Sequence, residues 1–450
     1  MKGITPRIIA KVCGGTFVGD AAALDKEIAF VTRDSREAAD GCLFSAIPGE
    51  RVDGHDFLEM CREKGAVCAL CQRKVENTSL PYILVENTQT ALGALSAYYR
   101  EQFNIPVIGI TGSVGKTSAK EMIASVLSQR FNTLKTQGNY NNELGVPLTL
   151  FGLNDSHEAA VIEMGISDFG EMERLTAMVH PTAAVITTVG YSHLECLGDL
   201  DGVLKAKTAI TEGMKQGGML MVNGDDEKLR GYEGYSNKLC YGLDENSAVR
   251  AENIRALGLE GMELTIVSGE RRIPARINAF GDHLVYAALA AASVGMLLGL
   301  SNEEIAAGIA GYEVVGRRSR AVNAGSFVVI DDCYNANPNS VTSALRSLTL
   351  PEGRKVAVLG DMLELGSESA KLHGMVGDFA GDRAELVITQ GNMSRFISEA
   401  AAKKTRAVHF DQKAELIDAL PELICPGDVV LVKASRGMRF EDITEALMSL

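Results

Sequence analysis

The chain has no long run of apolar residues. Its most apolar stretch, Ala287 to Leu300, is too short to span a bilayer and is interrupted by Ser293, Gly295 and Gly299. The opening MKGITPRIIAKVCGG lacks the long apolar core of a signal peptide. The nine cysteines include one C-x-x-C, Cys68 and Cys71, and no second pair follows at the spacing of a zinc ribbon. Small residues in a buried strand explain that pair better than a metal, and reduced thiols in a cytoplasmic protein are expected. There is no basic excess either. With 58 acidic against 44 basic residues the net charge is −14, which argues against a nucleic-acid or anionic-membrane partner but still allows a local basic pocket for phosphates. No low-complexity tract is present. At 46% hydrophobic and 23% charged, the composition is that of an ordinary folded protein.

What is present is length and alternation. The 450 residues allow about three domains at ~150 residues each. Residues 1–86 mix short strand-like runs (EIAFVT, GCLFSAI, PYILVE) with a helical one (HDFLEMCREKG), which predicts a small α/β domain. Residues 87–313 open on a helix-like stretch, Thr88 to Phe103, and then alternate buried strands (NIPVIGI, EAAVIEMG, PTAAVITTVG, GGMLMVNGDD) with helices. That alternation predicts a mostly parallel sheet covered by helices on both faces. Residues 314–450 carry five strand–helix steps, beginning at FVVIDD, KVAVLGD, ELVITQG, RAVHF and DVVLVKAS. They predict a Rossmann-like, doubly wound domain. The G-x-G-x-x-G fingerprint is absent after its first strand, so no dinucleotide is placed there.

Within the middle segment, GITGSVGKTSAKEMIASVL (Gly109 to Leu127) reads as a phosphate cradle with an unusual spelling. The common G-x-x-x-x-G-K-[ST] spacing needs a glycine at 110, where Ile110 stands; glycines sit at 109 and 112 instead. Strand, glycine turn and helix still come in the right order. Backbone N–H groups at a helix N-terminus favour anions. Lys116 can neutralise phosphate charge and Thr117 can ligate Mg²⁺. Glu163 ends a strand, where ligand sites of parallel sheets lie, although a lone glutamate there can equally be an ion-pairing residue. His193 follows another strand end, and Lys207 lies on the next helix; each taken alone reads as an ordinary polar residue. Two asparagine-rich islands, GNYNNELG with Asn139, Asn141 and Asn142, and DDCYNANPNS with Asp332 and Asn335, read either as turns or as polar ligand contacts. Arg317 sits where the second and third segments join. Lys433, Ser435 and Arg436 follow the last strong strand.

Taken together, TGSVGKTSAKE, GNYNNELGVPLTL, VIEMG, AVITTVGYSHLE, the KAK helix, DDCYNANP, GDMLELG and VLVKASRG resemble the ATP-dependent Mur ligases of peptidoglycan synthesis, whose loop reads T-G-x-x-G-K-T. DSR at 34–36 and LFSAIPGERVDGHDF at 43–57 resemble that family's UDP-sugar domain, so the likeness spans nearly the whole chain. It implies a monomeric amide ligase that adds D-alanyl-D-alanine to UDP-MurNAc-tripeptide, with ATP and two Mg²⁺ ions. It implies that Thr111, Gly112, Ser113, Val114, Gly115, Lys116, Thr117 and Ser118 hold the ATP phosphates. It further implies that Thr117 and Glu163 hold one Mg²⁺, and that His193 and a carbamylated Lys207 serve the second. Arg317, Asp332 and Asn335 would lie against ATP. Ser35 and Arg36 would lie near the uridine nucleotide, and Asn139, Asn141 and Asn142 near the muramoyl end. The family's G-x-H-N-x-x-N is here G-D-H-L-V-Y-A, with Leu284 and Ala287 replacing both asparagines, and no adenine contact is carried over to that stretch. A sibling ligase that adds a diamino acid is disfavoured because N-A-N-P-N-S stands where a D-N-P-R motif would be. A catalytically silent nucleotide-binding regulator would account for Leu284 and Ala287 but not for the intact Lys116, Thr117, Glu163, His193 and Lys207.

Overall fold

Apolar strands and the helices between them collect into three sheets in a computed structural model that describes residues 1–49 and 52–450. Glu50 and Arg51, within the 43–57 motif, lie outside the described residues. No helix among the described residues is long and apolar enough to cross a membrane.

The first sheet holds strands Thr16–Val18, Phe30–Thr32, Cys42–Ser45, Cys68–Cys71 and Tyr82–Leu84. All its pairings are parallel except that of Thr16–Val18 with Tyr82–Leu84. The C-x-x-C lies on one of its fully buried strands. Cys68 packs with Leu70 in one core and Cys71 with Ala69 in another, as the two-residue period of a strand requires. The two thiols therefore leave opposite faces and cannot share a metal. Burial pushes both thiols up, Cys71 to about 12.

Among the described residues, nine strands form the second sheet. Val107–Thr111 lies between Ala159–Glu163 and Ala183–Ile186 and runs parallel to both, so the ends of all three strands open onto one edge. Helices Lys116–Leu127, Leu284–Leu297 and Asn302–Ala310 pack on one face of this sheet. The opposite face takes Thr88–Arg100, Gly145–Leu150, Glu171–Val179 and Leu200–Thr208. The apolar run near 287–300 is thus a buried core helix. Four strands between Lys238 and Ile277 escape the sequence reading. The last two, Met262–Ser268 and Arg271–Ile277, pair antiparallel at the sheet edge. Their outer faces are solvated, so charged residues alternate with apolar ones and the run of buried residues is diluted.

The third sheet is doubly wound. Its order is Arg320–Asn323, Val328–Asp331, Val429–Lys433, Lys355–Gly360, Leu386–Gln390 and Arg406–Phe410, parallel except for the first strand. Pro338–Leu348, Ser369–Gly381 and Arg395–Ala401 cover one face, and Lys413–Leu423 and Glu441–Met448 the other. The last strand inserts beside Val328–Asp331. Two strands far apart in sequence therefore end side by side, and that brings Asp332 to Lys433.

Candidate active site

The phosphate loop leaves strand Val107–Thr111 and closes at Gly115, directly before helix Lys116–Leu127. Ile110 is wholly buried in the helix-side core, which is why that position is apolar rather than glycine. The turn is made at Gly112, whose φ is +149°; a Cβ there would lie 1.9 Å from the Thr187 hydroxyl. Thr111 and Gly112 frame the loop from behind, while Ser113 to Ser118 line a cavity of about 240 Å³. Lys116 Nζ donates to the Gly112 carbonyl at 2.7 Å and so is held over the loop. Its burial lowers its pKa, Glu163 opposes that shift, and Arg318 adds to it.

Glu163 faces the same cavity from the end of strand Ala159–Glu163. Thr117 Oγ1 donates to its Oε2 at 3.0 Å and Asn141 Nδ2 to its Oε1 at 2.8 Å. Its backbone N–H donates to Thr136 Oγ1 at 3.0 Å. Behind it sits Lys120, which is wholly buried. Lys120 Nζ lies 2.9 Å from Glu121 Oε1 and 3.9 Å from Glu163 Oε2, and donates to the Thr136 carbonyl at 2.7 Å. Helical position alone gives no hint that this amine points inward.

The third domain closes the cavity. Arg318, Ser319, Asp332, Tyr334, Asn335, Asn337 and Lys433 line it opposite the loop. Lys433 Nζ donates to Asp332 Oδ2 at 2.7 Å and to the Asn335 carbonyl at 3.0 Å, while the Ser319 N–H donates to Asp332 Oδ1 at 3.0 Å. Arg318 stacks on Tyr334, 4.1 Å from the ring centroid. Arg317 is held elsewhere: it donates to Asp331 at 3.1 Å and to Glu445 at 3.0 Å, so its neighbour is the arginine at the cavity wall. Two asparagines tie the domains together. Asn339 Oδ1 accepts from the Tyr191 N–H at 2.9 Å, and Asn337 Nδ2 reaches the Ser113 carbonyl at 3.5 Å. A Cβ on Gly190 would collide with Asn339, so this docking needs a glycine there.

A second chamber of about 470 Å³ adjoins the first across Val114, Gly115, Ser118 and His283. Ala119, Val189, Tyr286 and Ala287 supply part of its apolar lining, and Asn223, Asp225 and Asp226 part of its polar lining. Leu284 is packed into the core instead.

His193 lines neither chamber; its backbone is left-handed, φ +53°. Its Nδ1 lies 2.5 Å from Glu364 Oε2. Burial lowers its pKa and Glu364 opposes the shift. Lys207 is buried on helix Leu200–Thr208, and among the described residues nothing hydrogen-bonds its amine. Burial holds that amine far below the ordinary lysine range, and Lys116 adds to the effect.

Of the island at 139–142, Asn139 and Asn141 line the cavity. Asn142 Oδ1 accepts from the N–H groups of Leu144 and Gly145 and so shapes the turn. Ser35 and Arg36 lie on the first domain and line neither chamber. Arg36 donates to Asp34 and holds that carboxyl at about 2. Lys120, Arg318, Tyr334, Asn337, Asn339 and Glu364 were not singled out from the sequence, although Tyr334, Asn337 and Asn339 lie in the DDCYNANPNS island and Lys120 and Glu364 in TGSVGKTSAKE and GDMLELG.

Three family models match the chain: the Mur ligase family catalytic domain over residues 27–100, the Mur ligase middle domain over 110–295, and the Mur ligase glutamate ligase domain over 280–436. The UDP-N-acetylmuramoyl-tripeptide–D-alanyl-D-alanine ligase of Bacillus subtilis strain 168 is 37% identical, over 93% of each chain. The ligase of the same name from Escherichia coli K12 is 36% identical, over 99% of each. A crystal structure of MurF from Acinetobacter baumannii matches with a TM-score of 0.89 at 30% identity, over 99% of both chains. MurF from Thermotoga maritima in complex with ADP matches with a TM-score of 0.84 at 27% identity, over 93% of this chain and 97% of its own. Likeness over nearly the full length, in sequence and in fold, thus accompanies the phosphate loop and the carboxylate behind it, and the chain belongs to the Mur ligase family.

Proposed function

We propose that the chain joins D-alanyl-D-alanine to UDP-N-acetylmuramoyl-tripeptide with cleavage of ATP to ADP and phosphate. The observation that carries this reading is the cavity over the phosphate loop. There Lys116, Thr117 and Glu163 from the second domain face Asp332, Asn335 and Lys433 from the third. The functional division is 1–86 for the UDP end, 87–313 for ATP, and 314–450 for the incoming dipeptide.

The tripeptide carboxylate attacks the γ-phosphorus and ADP leaves. The dipeptide amine then attacks the acyl carbon, loses a proton, and expels phosphate carrying one former carboxylate oxygen. Residues 111–118 offer backbone donors to the phosphates, and Lys116 offsets charge on the transferring group. Thr117 and Glu163 would hold one Mg²⁺; His193 and Lys207 would serve a second. Mg²⁺, when bound, neutralises phosphate charge and orients the phosphates. The donor set fits a hard cation, since a hydroxyl and a carboxylate already meet at 3.0 Å beside the cavity. Burial disfavours the charged form of the Lys207 amine, which has no hydrogen-bond partner among the described residues, and the neutral amine is the form that CO₂ carbamylates. Adenine is assigned to the larger chamber, with Ala287 in its wall. Arg317 would reach ATP only by leaving Asp331, whereas Arg318 already lines the cavity. Asn139 and Asn141 face the acceptor. Ser35 and Arg36 are assigned to the uridine nucleotide, and docking of the first domain would bring that end into line. Closing of the third domain on the loop would keep water from the acyl phosphate.

Phosphate release is the test, measured with ATP, Mg²⁺ and lysine or diaminopimelate tripeptides, with and without the dipeptide. Release that requires the dipeptide, with a product of pentapeptide mass, is expected. Equal release with free lysine or diaminopimelate on a UDP-dipeptide would contradict the assignment.

A further inference from the structure

Strand Met219–Asn223 ends at the larger chamber. Its side chains alternate between two cores: Leu220 and Val222 pack on one face of the sheet and Met221 on the other. Asn223 therefore leaves the sheet on the face of Met221, the face covered by helices Lys116–Leu127 and Leu284–Leu297. Ala119, Tyr286 and Ala287 of those helices line the chamber, so the asparagine side chain turns into it. Tyr241, its partner on the next strand, lies on the same face and lines the chamber too.

Only 6% of Asn223 is exposed, and a buried amide is costly to leave without partners. Half of its demand is met. The Asp225 N–H donates to Asn223 Oδ1 at 3.1 Å, which fixes the orientation of the amide. Among the described residues, nothing accepts a hydrogen bond from its Nδ2. The carboxylates beside it are committed to the backbone. Asp225 accepts from the N–H groups of Leu243 and Asp244, and Asp226 from those of Val189, Lys228 and Leu229. Asn223 thus presents an oriented donor to the chamber.

Its place in the sheet decides which part of a nucleotide it meets. Val222 pairs with Ile186 and Ile186 with Thr111, so Asn223 stands level with Gly112 of the phosphate loop, two strands away. At ~4.8 Å per strand that is about 10 Å. With the phosphates on the loop, the far edge of the base, opposite its ribose bond, extends toward this distance. In adenine that edge carries N1, a bare acceptor. In hypoxanthine N1 carries a hydrogen and would face the amide donor to donor.

We propose that Asn223 reads the base: its Nδ2–H donates to adenine N1 and so favours adenine over a purine that is protonated there. The inference rests on the reading above that the larger chamber holds adenine.

The test is equilibrium binding of ATP, 1-deaza-ATP, 7-deaza-ATP and ITP to the full chain, as wild type, Asn223→Ala, Asn223→Asp and Ala287→Phe. Wild type is expected to bind 1-deaza-ATP about tenfold more weakly than ATP, and 7-deaza-ATP as well as ATP. Asn223→Ala should bind ATP about tenfold more weakly and no longer distinguish it from 1-deaza-ATP, because both deletions remove one contact. Asn223→Asp keeps an acceptor for the Asp225 N–H but loses the donor, so preference should move from ATP toward ITP. That variant decides the matter if Asn223→Ala does not fold. A wild type indifferent to the loss of N1 overturns the proposal. So does undiminished discrimination in Asn223→Ala, or an unchanged ratio of ITP to ATP affinity in Asn223→Asp. Ala287→Phe fills the chamber and separates this failure from that of the reading beneath it. ATP binding untouched by Ala287→Phe contradicts the placement of adenine. Binding lost in Ala287→Phe, with Asn223 variants that discriminate as wild type does, contradicts the role of Asn223 alone.

Discussion

At one end of the cleft, every charged group over the phosphate loop is held by a partner: Lys116 by the Gly112 carbonyl, Glu163 by Thr117 and Asn141, Asp332 by Lys433 and Ser319. At the other end, the roomier chamber is lined by Ala119, Val189, Tyr286 and Ala287 together with polar residues such as Thr187, Asn223, Asp225, Asp226 and Arg346. Charge moves at the first end, and stabilising a transferring phosphoryl group needs fixed donors at fixed places. In the proposed reading the second end holds the flat adenine ring, which many side chains can do. The proposed reading accommodates Leu284 and Ala287, which depart from the family pattern: one is packed into the core and the other lines the chamber.

Substitutions at the two ends should therefore differ by orders of magnitude. Lys116→Ala or Glu163→Gln is expected to lower kcat about 10²- to 10³-fold with little change in KM for the UDP-tripeptide, followed by ADP release. A loss below tenfold would mean that the phosphate end is not where charge is stabilised.

Lys120→Met should cost stability rather than binding alone. Removing the amine leaves Glu121 and Glu163 buried beside each other, though Glu121 keeps Lys135. A loss of about 3 kcal/mol in urea unfolding is expected. A change under about 0.5 kcal/mol would show that Lys120 is not what balances those carboxylates.

Lys207→Met should act in the opposite direction in CO₂-free buffer. The folded-state pKa of Lys207 lies far below its unfolded value, so the unfolded chain binds the extra proton. Wild-type stability is therefore expected to rise with pH over the window between those two values, below the usual lysine value of 10.5. The variant lacks that term, so its advantage in Tm should be wider at pH 6.5 than at pH 9. Bicarbonate should narrow the gap by stabilising the wild type only. A gap that does not change with pH would contradict a neutral buried amine.

The smallest effect is expected at the base end. Ala287→Asn adds one polar group to the chamber wall and should change the KM for ATP about 2- to 10-fold, with kcat unchanged. A larger change would mean that this wall does govern nucleotide binding.

Legibility in the sequence follows the same division. The phosphate loop could be read because strand, glycine turn and Lys-Thr obey strict local spacing, and Glu163 because parallel strands present ligands at their carboxyl ends. The C-x-x-C could be set aside for want of a second pair, and the strand period bears this out. The partners of contacts made over long separations could not be read from the motifs that carry them. Glu364 meets His193 from another domain, and Lys120 looks like any helical lysine until the packing turns it inward. Arg317 and Arg318 are indistinguishable as neighbours in sequence; only the fold sends one to Asp331 and the other to the cavity. The edge strands between Lys238 and Ile277 were illegible because half their side chains face water.

The most direct measurement is an oxygen-transfer experiment. UDP-MurNAc-tripeptide labelled with ¹⁸O in its terminal carboxylate is ligated to D-alanyl-D-alanine, and the released phosphate is examined by ³¹P NMR or mass spectrometry. One labelled oxygen per phosphate is expected, because the carboxylate oxygen that attacks the γ-phosphorus leaves with it. Unlabelled phosphate accompanying pentapeptide formation would contradict an acyl phosphate, and with it the role given to the cradle around Lys116 and Glu163.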